Sequence, residues 1–239
     1  MSPGIPQTVN YNTTTSFTVT PNTGYHITGW TGVTGCGTTA TCDVFMTSNR
    51  TVAVTYAINT YTLTVVPGAN GSVSAGSGAI SNCTITGGTC SGTYNHASNI
   101  NLTATPGTNY YVSGWTINGV SSCGTATTCT VSNLTADTTV TVAFALTTYS
   151  LNLAASPALS GTVSASGSWG SLNCPGTCSA GAIDAGTVVA LNAAITTGSG
   201  ANRIQWQGNC SAGGTVSATT STYNLTMTAN MNCTINFLP

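Results

Sequence analysis

The chain has 239 residues and five charged side chains, Asp43, Arg50, Asp137, Asp184 and Arg203, for a net charge of −1. A soluble domain is about 25% charged; here the figure is 2%, so hydration falls to Ser, Thr and Asn. Two arginines exclude nucleic-acid binding and an electrostatic membrane anchor, and no apolar run approaches the roughly 18 residues of a membrane span.

The opening Met1-Ser2-Pro3-Gly4 lacks the basic start and apolar stretch of a signal peptide. Either a signal has been removed or the chain is a segment of a longer one. Helix formers are scarce, while Thr, Val, Ile and Tyr runs alternate with Gly, Asn and Ser clusters, which predicts short strands joined by turns. The first elements are a strand region over Gln7–Pro21, a Gly24-Tyr-His-Ile-Thr-Gly-Trp30 strand, a Cys36/Cys42 bracket and an alternating strand Thr51–Tyr56. The next stretch opens new elements at Tyr61–Val66, Gly71–Val73 and Cys83/Cys90. It then repeats the earlier pattern: Gly92–Pro106 matches Gln7–Pro21, Ser113-Gly-Trp115 follows, then Cys123/Cys129 and Thr139–Phe144. A third stretch begins at Tyr149–Leu153 and Gly161–Val163 and passes Cys174/Cys178 and Trp206. It ends on Cys233–Phe237.

These matches divide the chain into modules 1–58, 59–147 and 148–239. The first is a back half alone, with no counterpart of residues 59–91. Two explanations stay open. Upstream sequence supplies the missing half, or another subunit covers the open strand edges by strand addition. By the period of two, Val140, Val142 and Phe144 face inward, as do Val52, Val54 and Tyr56, and Cys233, Ile235 and Phe237. Trp30, Trp115 and Trp206 recur in register as expected core residues. Asp137 precedes a strand, where its carboxylate can satisfy backbone N–H groups.

The ten cysteines, Cys36, Cys42, Cys83, Cys90, Cys123, Cys129, Cys174, Cys178, Cys210 and Cys233, fall mostly in close pairs. Their spacings do not suit zinc, which leaves disulfides in an oxidising compartment, with Cys210 bridging Cys233. No metal or other cofactor is expected. No catalytic centre is expected either: His26 and His96 lie in different modules, the three Asp in three modules, and Glu is absent. Nine Asn-x-Ser/Thr sequons occur, at Asn12, Asn49, Asn70, Asn82, Asn101, Asn133, Asn209, Asn224 and Asn232. Composition alone would supply about seven, so they permit glycosylation without implying it. Trp169 sits in a Ser-Trp-Gly turn and, with Tyr110 and Tyr111, is a candidate sugar-stacking surface. Ice binding by Thr arrays is disfavoured, because the repeat is far longer than regular Thr ranks require.

The ordered run Tyr61-Thr-Leu-Thr-Val65, Gly71-Ser-Val73, Leu102-Thr-Ala-Thr-Pro106, Ser113-Gly-Trp115, Cys123 to Cys129 and Thr138–Phe144 resembles the divergent internalin-B-type B-repeat of bacterial surface and secreted proteins. The third module departs from it, with Leu191-Asn-Ala-Ala194 and Gln205-Trp206 in the matching places. The resemblance implies small β-rich modules, related by analogy to β-grasp folds, strung in extracellular chains with stalk, adhesive or assembly roles and no activity of their own. The expectation is therefore an all-β protein of tandem, disulfide-stapled β-sandwich or β-grasp-like modules, secreted or on the cell surface, with no enzyme activity. Its expected role is structural or adhesive, self-associating through strand edges as a fibre or forming a stalk. The alternative is a carbohydrate-binding accessory module of a secreted enzyme or adhesin.

Overall fold

The computed structural model describes residues 6–239, so Met1-Ser2-Pro3-Gly4 lies outside it. The fold is all-β; a single 3-10 turn at Ser211–Gly213 is the helical element among the described residues. The half-module carries β1 (Thr13–Thr18), β2 (Tyr25–Thr31), β3 (Thr41–Met46) and β4 (Ala53–Ile58). The second stretch carries β5 (Thr60–Pro67), β6 (Gly71–Ala75), β7 (Ser81–Thr84), β8 (Gly87–Thr89), β9 (Ser91–Asn95), β10 (Ser98–Pro106), β11 (Tyr110–Ile117), β12 (Val120–Ser122), β13 (Thr128–Leu134) and β14 (Thr138–Leu146). The third carries β15 (Thr148–Ser156), β16 (Gly161–Gly167), β17 (Gly170–Cys174), β18 (Ser179–Asp184), β19 (Val188–Ile195), β20 (Arg203–Gly208), β21 (Thr215–Val216), β22 (Thr220–Thr226) and β23 (Met231–Leu238).

Alternation explains these strands. In β10, Ile100, Leu102 and Ala104 are buried while Asn99, Asn101 and Thr103 between them are exposed. One face of each strand can therefore close on a core while the other stays wet. The second stretch forms two five-stranded sheets, ordered β13-β10-β6-β7-β8 and β12-β11-β14-β5-β9. The third repeats that plan as β22-β19-β16-β17 and β21-β20-β23-β15-β18. Its core draws Val163, Leu191 and Leu225 from one sheet and Leu151, Ile204 and Ile235 from the other, so the two sheets pack as a sandwich.

The pairing of first and last strands matters most for function. β5 lies parallel to β14, with Leu63 opposite Thr138 and Pro67 opposite Val142. β15 lies parallel to β23 in the same way, from Leu151–Met231 to Ser156–Asn236. Because these neighbours run in one direction, the chain enters a module at one end and leaves at the other. From Thr60 to Leu146 that path is about 36 Å, at roughly 3.3 Å per residue. Asp137, just before β14, accepts the Thr62 N–H at 2.7 Å. Asn230, just before β23, accepts the Ser150 N–H at 2.9 Å. A turn side chain thus locks the start of the last strand onto the start of the first.

The half-module contains only the counterparts of β10, β13, β11 and β14, paired as β1-β3 and β2-β4. By compactness the chain divides into two units. One reaches to Thr105 and adds Val112–Ala143; the other is Pro106–Tyr111 with Phe144–Pro239. The turn Pro106–Tyr111 falls in the second unit because the Thr147 N–H donates to Asn109 O (2.8 Å) and the Ala185 N–H to Thr147 O (2.9 Å).

Candidate functional site

The cysteines form five disulfides: Cys36–Cys42, Cys83–Cys90, Cys123–Cys129, Cys174–Cys178 and Cys210–Cys233. None is free. Cys210 and Cys233 are both buried and tie the segment after β20 to β23. The Cys36–Cys42 and Cys123–Cys129 brackets also position a tryptophan. Trp115 Nε1–H donates to Ala126 O (2.7 Å) and Trp30 Nε1–H to Thr39 O (3.0 Å), each acceptor lying inside its bracket. Trp206 instead donates to Ser221 Oγ at 3.1 Å.

The three tryptophans differ in burial, which corrects the expectation that all are core. Trp115 and Trp206 are 1% and 2% exposed, whereas Trp30 is only half-buried. The difference extends along the half-module. Phe17, Val19, Val52 and Val54 are half-buried, while their counterparts Leu102, Ala104, Val140 and Val142 are buried. Tyr56, expected inward, is 42% exposed. The physical reason is the missing front half. In the second stretch the front half contributes the buried Leu63, Val65, Val73 and Ile80; among the described residues, 6–58 have no counterpart of them.

What remains is an open seam. β4 pairs only with β2, and β1 only with β3, among the described residues. The edges left free correspond to those on which β14 receives β5 and β10 receives β6. A groove of about 570 Å³ opens here, lined by Val9, Phe17, Met46, Arg50, Thr51 and Val52. A neighbouring hollow reaches Asn49, which holds the place taken by Asp137 and Asn230 in the complete modules.

A joint links the half-module to β5 and was not foreseen. The Asn59 N–H donates to Gly24 O and the His96 N–H to Asn59 O, both at 2.7 Å. His26 Nδ1–H donates to Asn59 Oδ1 at 2.7 Å. Gly24 has φ +81° and lies against the His96 ring, which also faces Tyr61. The His96 ring is half-buried, and its Nδ1 has no hydrogen-bond partner among the described residues. The bonds through Asn109, Thr147 and Ala185 repeat this relay. The signal that could have found it is positional, since Asn59 and Thr147 are each the single residue between a last strand and the next first strand.

The remaining site residues do not converge on a ligand. Trp169 sits in the β16–β17 turn, half-buried, packed against the third module's core with its ring over Gly167. Tyr110 and Tyr111 begin β11, where Tyr111 is exposed. All nine sequon asparagines are exposed. Asn12, Asn70, Asn82 and Asn133 have positive φ, a turn role that accounts for asparagine there. No group of three metal-ligating side chains occurs among the described residues, and no helix is long and apolar enough to cross a membrane.

No curated protein matches the chain. The model of the divergent InlB B-repeat domain matches residues 3–60 and 78–148, together more than half of the sequence. Five disulfides and this repeat fit an extracellular location. Since the matched stretches hold both Trp-centred strands and both cysteine brackets that position them, the chain belongs to the divergent InlB B-repeat family.

Proposed function

We propose that this chain is a non-enzymatic structural repeat protein of a bacterial cell surface, serving as a load-bearing stalk or fibre segment that can adhere or assemble through its strand edges. The observation that carries the reading is the parallel placement of first and last strands, β5 beside β14 and β15 beside β23. Tension applied through the chain pulls these neighbours in opposite directions along their length. The rungs of the ladder then share the load in shear instead of opening one at a time. The disulfides keep short loops from unravelling, and near-zero charge makes the array indifferent to salt.

Single-molecule pulling tests this. Two high-force events are expected, one for each complete module, with a weaker one for residues 6–58, whose β4 has no parallel neighbour. Gly68 N–H donates to Val142 O at 2.7 Å, so two residues back the Val66 N–H faces the same strand. Val66 is half-exposed, so Val66→Pro removes a rung at an equilibrium cost of about 1 kcal/mol. It should lower the unfolding force of one module and leave the other unchanged. Unfolding of all modules at equally low force would overturn the load-bearing reading. The alternative, a carbohydrate-binding accessory module, would need glycan binding that is lost in Trp169→Ala.

A further inference from the structure

We propose that the free edge of β22 is the contact through which two copies of this chain pair, one β22 adding antiparallel to the other about a two-fold axis. The inference rests on the reading that the repeat assembles through strand edges, and it names the edge and its occupant.

A strand edge invites pairing unless it is short, broken or charged. Among the edge strands of residues 59–239, β8, β12 and β21 hold three, three and two residues. β9 and β17 hold five, and Thr177 bridges β17 at Asn173. β13 and β18 lie against register shifts, between Ser98 and Ile100 and between Tyr149 and Leu151, and β18 ends on Asp184. β22 has none of these features. Its seven residues pair with β19 without a shift, from Val188–Thr226 to Ala194–Thr220, and include no charge, glycine or proline. Edge status belongs to this place in the repeat. β13, its counterpart in 59–147, pairs with β10 alone among the described residues, although the chain continues on both sides of that module.

The parity of the ladder shows what the edge offers. The Ile195 N–H donates to Thr219 O and the Met227 N–H to Thr187 O, so odd-numbered residues from Thr219 to Met227 bond β19. The backbone N–H and C=O of Thr220, Thr222, Asn224 and Thr226 therefore point to the free side. A second β22 centred on Tyr223 sets Thr220 opposite Thr226 and Thr222 opposite Asn224, and each of these groups gains a partner. Their side chains are exposed, while Ser221 and Tyr223 are half-buried, so the joint matches small polar groups on one face and a pair of Tyr223 rings on the other. No charge opposes it: Asp184 and Arg203, the charged groups of 148–239, both belong to the other sheet. The contact is isologous and closes at two copies, so it couples chains side by side.

The test is sedimentation velocity of the 239-residue protein over a concentration series, with residue-resolved amide exchange. A monomer–dimer equilibrium is expected, with the Thr222 and Asn224 amides slowed at least about tenfold in the dimer. Asn224→Pro removes an N–H that faces away from β19, which an edge strand tolerates. It deletes two symmetry-related bonds and should weaken the dimer about thirtyfold. Asn224→Lys, which leaves the backbone unaltered, should also weaken it by bringing like charges to the joint. Unchanged exchange in β15 and β23 shows that each variant is folded. A protein that stays monomeric would overturn the proposal, as would a dimer whose Thr222 and Asn224 amides exchange as fast as the monomer's, or one that persists undiminished in Asn224→Lys. The load-bearing reading is decided separately, by the unfolding forces of the β5–β14 and β15–β23 pairs.

Discussion

Replacing Trp115 and Trp30 in turn by alanine measures what the missing front half contributes. The two side chains hold the same position, donate the same kind of bond into a cysteine bracket and differ in cover. Trp115 is 1% exposed, so its removal leaves a cavity and orphans the Ala126 carbonyl; the expected cost is about 3–5 kcal/mol. Trp30 is half-buried, so about half of the transfer term is already forfeited. The cavity it leaves is open to water, which makes the expected cost about 2 kcal/mol. A gap of roughly 2 kcal/mol is about thirtyfold in a local opening constant. A multi-module chain need not unfold in one step, so global melting is a poor readout. Hydrogen exchange in graded denaturant, read separately over β2–β4 and β11–β14, resolves the two regions. Equal costs would refute the claim that the core of residues 6–58, sealed at Cys36, Cys42 and Val44, is only partly covered at Trp30.

Two further outcomes are expected. Removing the Cys210–Cys233 bridge as a paired alanine variant should cost about 3 kcal/mol, against about 2 for Cys36–Cys42, because the first closes a loop over a sequence separation of 23 and the second over 6; guanidinium denaturation that ranks them in reverse would contradict this. Gly24→Val should open the joint at Asn59, since a Cβ there would sit 2.1 Å from the His96 ring, and chymotryptic cleavage between Tyr56 and Tyr61 should rise about tenfold. Gly35→Val shares the positive φ but meets nothing within 4 Å, so accelerated cleavage in both variants would assign the effect to backbone strain alone.

Much of the fold was legible because its signals are local. Val140 and Val142 alternate with Thr139 and Thr141, and the period alone places the valines inward. Cys123 and Cys129 lie close enough in sequence that spacing suggests their bridge, and Cys233 in the slot of Val140 announces a buried one. The strand order was not legible, because it depends on pairings far apart in the chain. Nothing in Thr60–Pro67 says that its parallel neighbour begins at Thr138. Asp137 read as a turn residue, but its partner, the Thr62 N–H, lies 75 residues away. Trp30 shows the same limit from the other side. Its sequence is that of a core residue, and its exposure follows from strands that residues 6–58 do not contain.

The one-residue links give the repeat a polarity that the sequence pattern alone does not. The family matches end at residues 60 and 148, and all of β6 with all of β5 but Thr60 falls between the two matched stretches. Each such strand pair therefore lies between a back half before it and another after it. In composition it suits either, since β4 and β14 present similar edges. Geometry decides, because Asn59 and Thr147 are too short to let the following strand turn back and run parallel to the one just finished. Every pair must close on the back half that follows. Within residues 59–239 the rule is kept twice, by β5 on β14 and by β15 on β23. A module added by the same rule would carry the same parallel pair of first and last strands, so tension along such an array would load each module in shear.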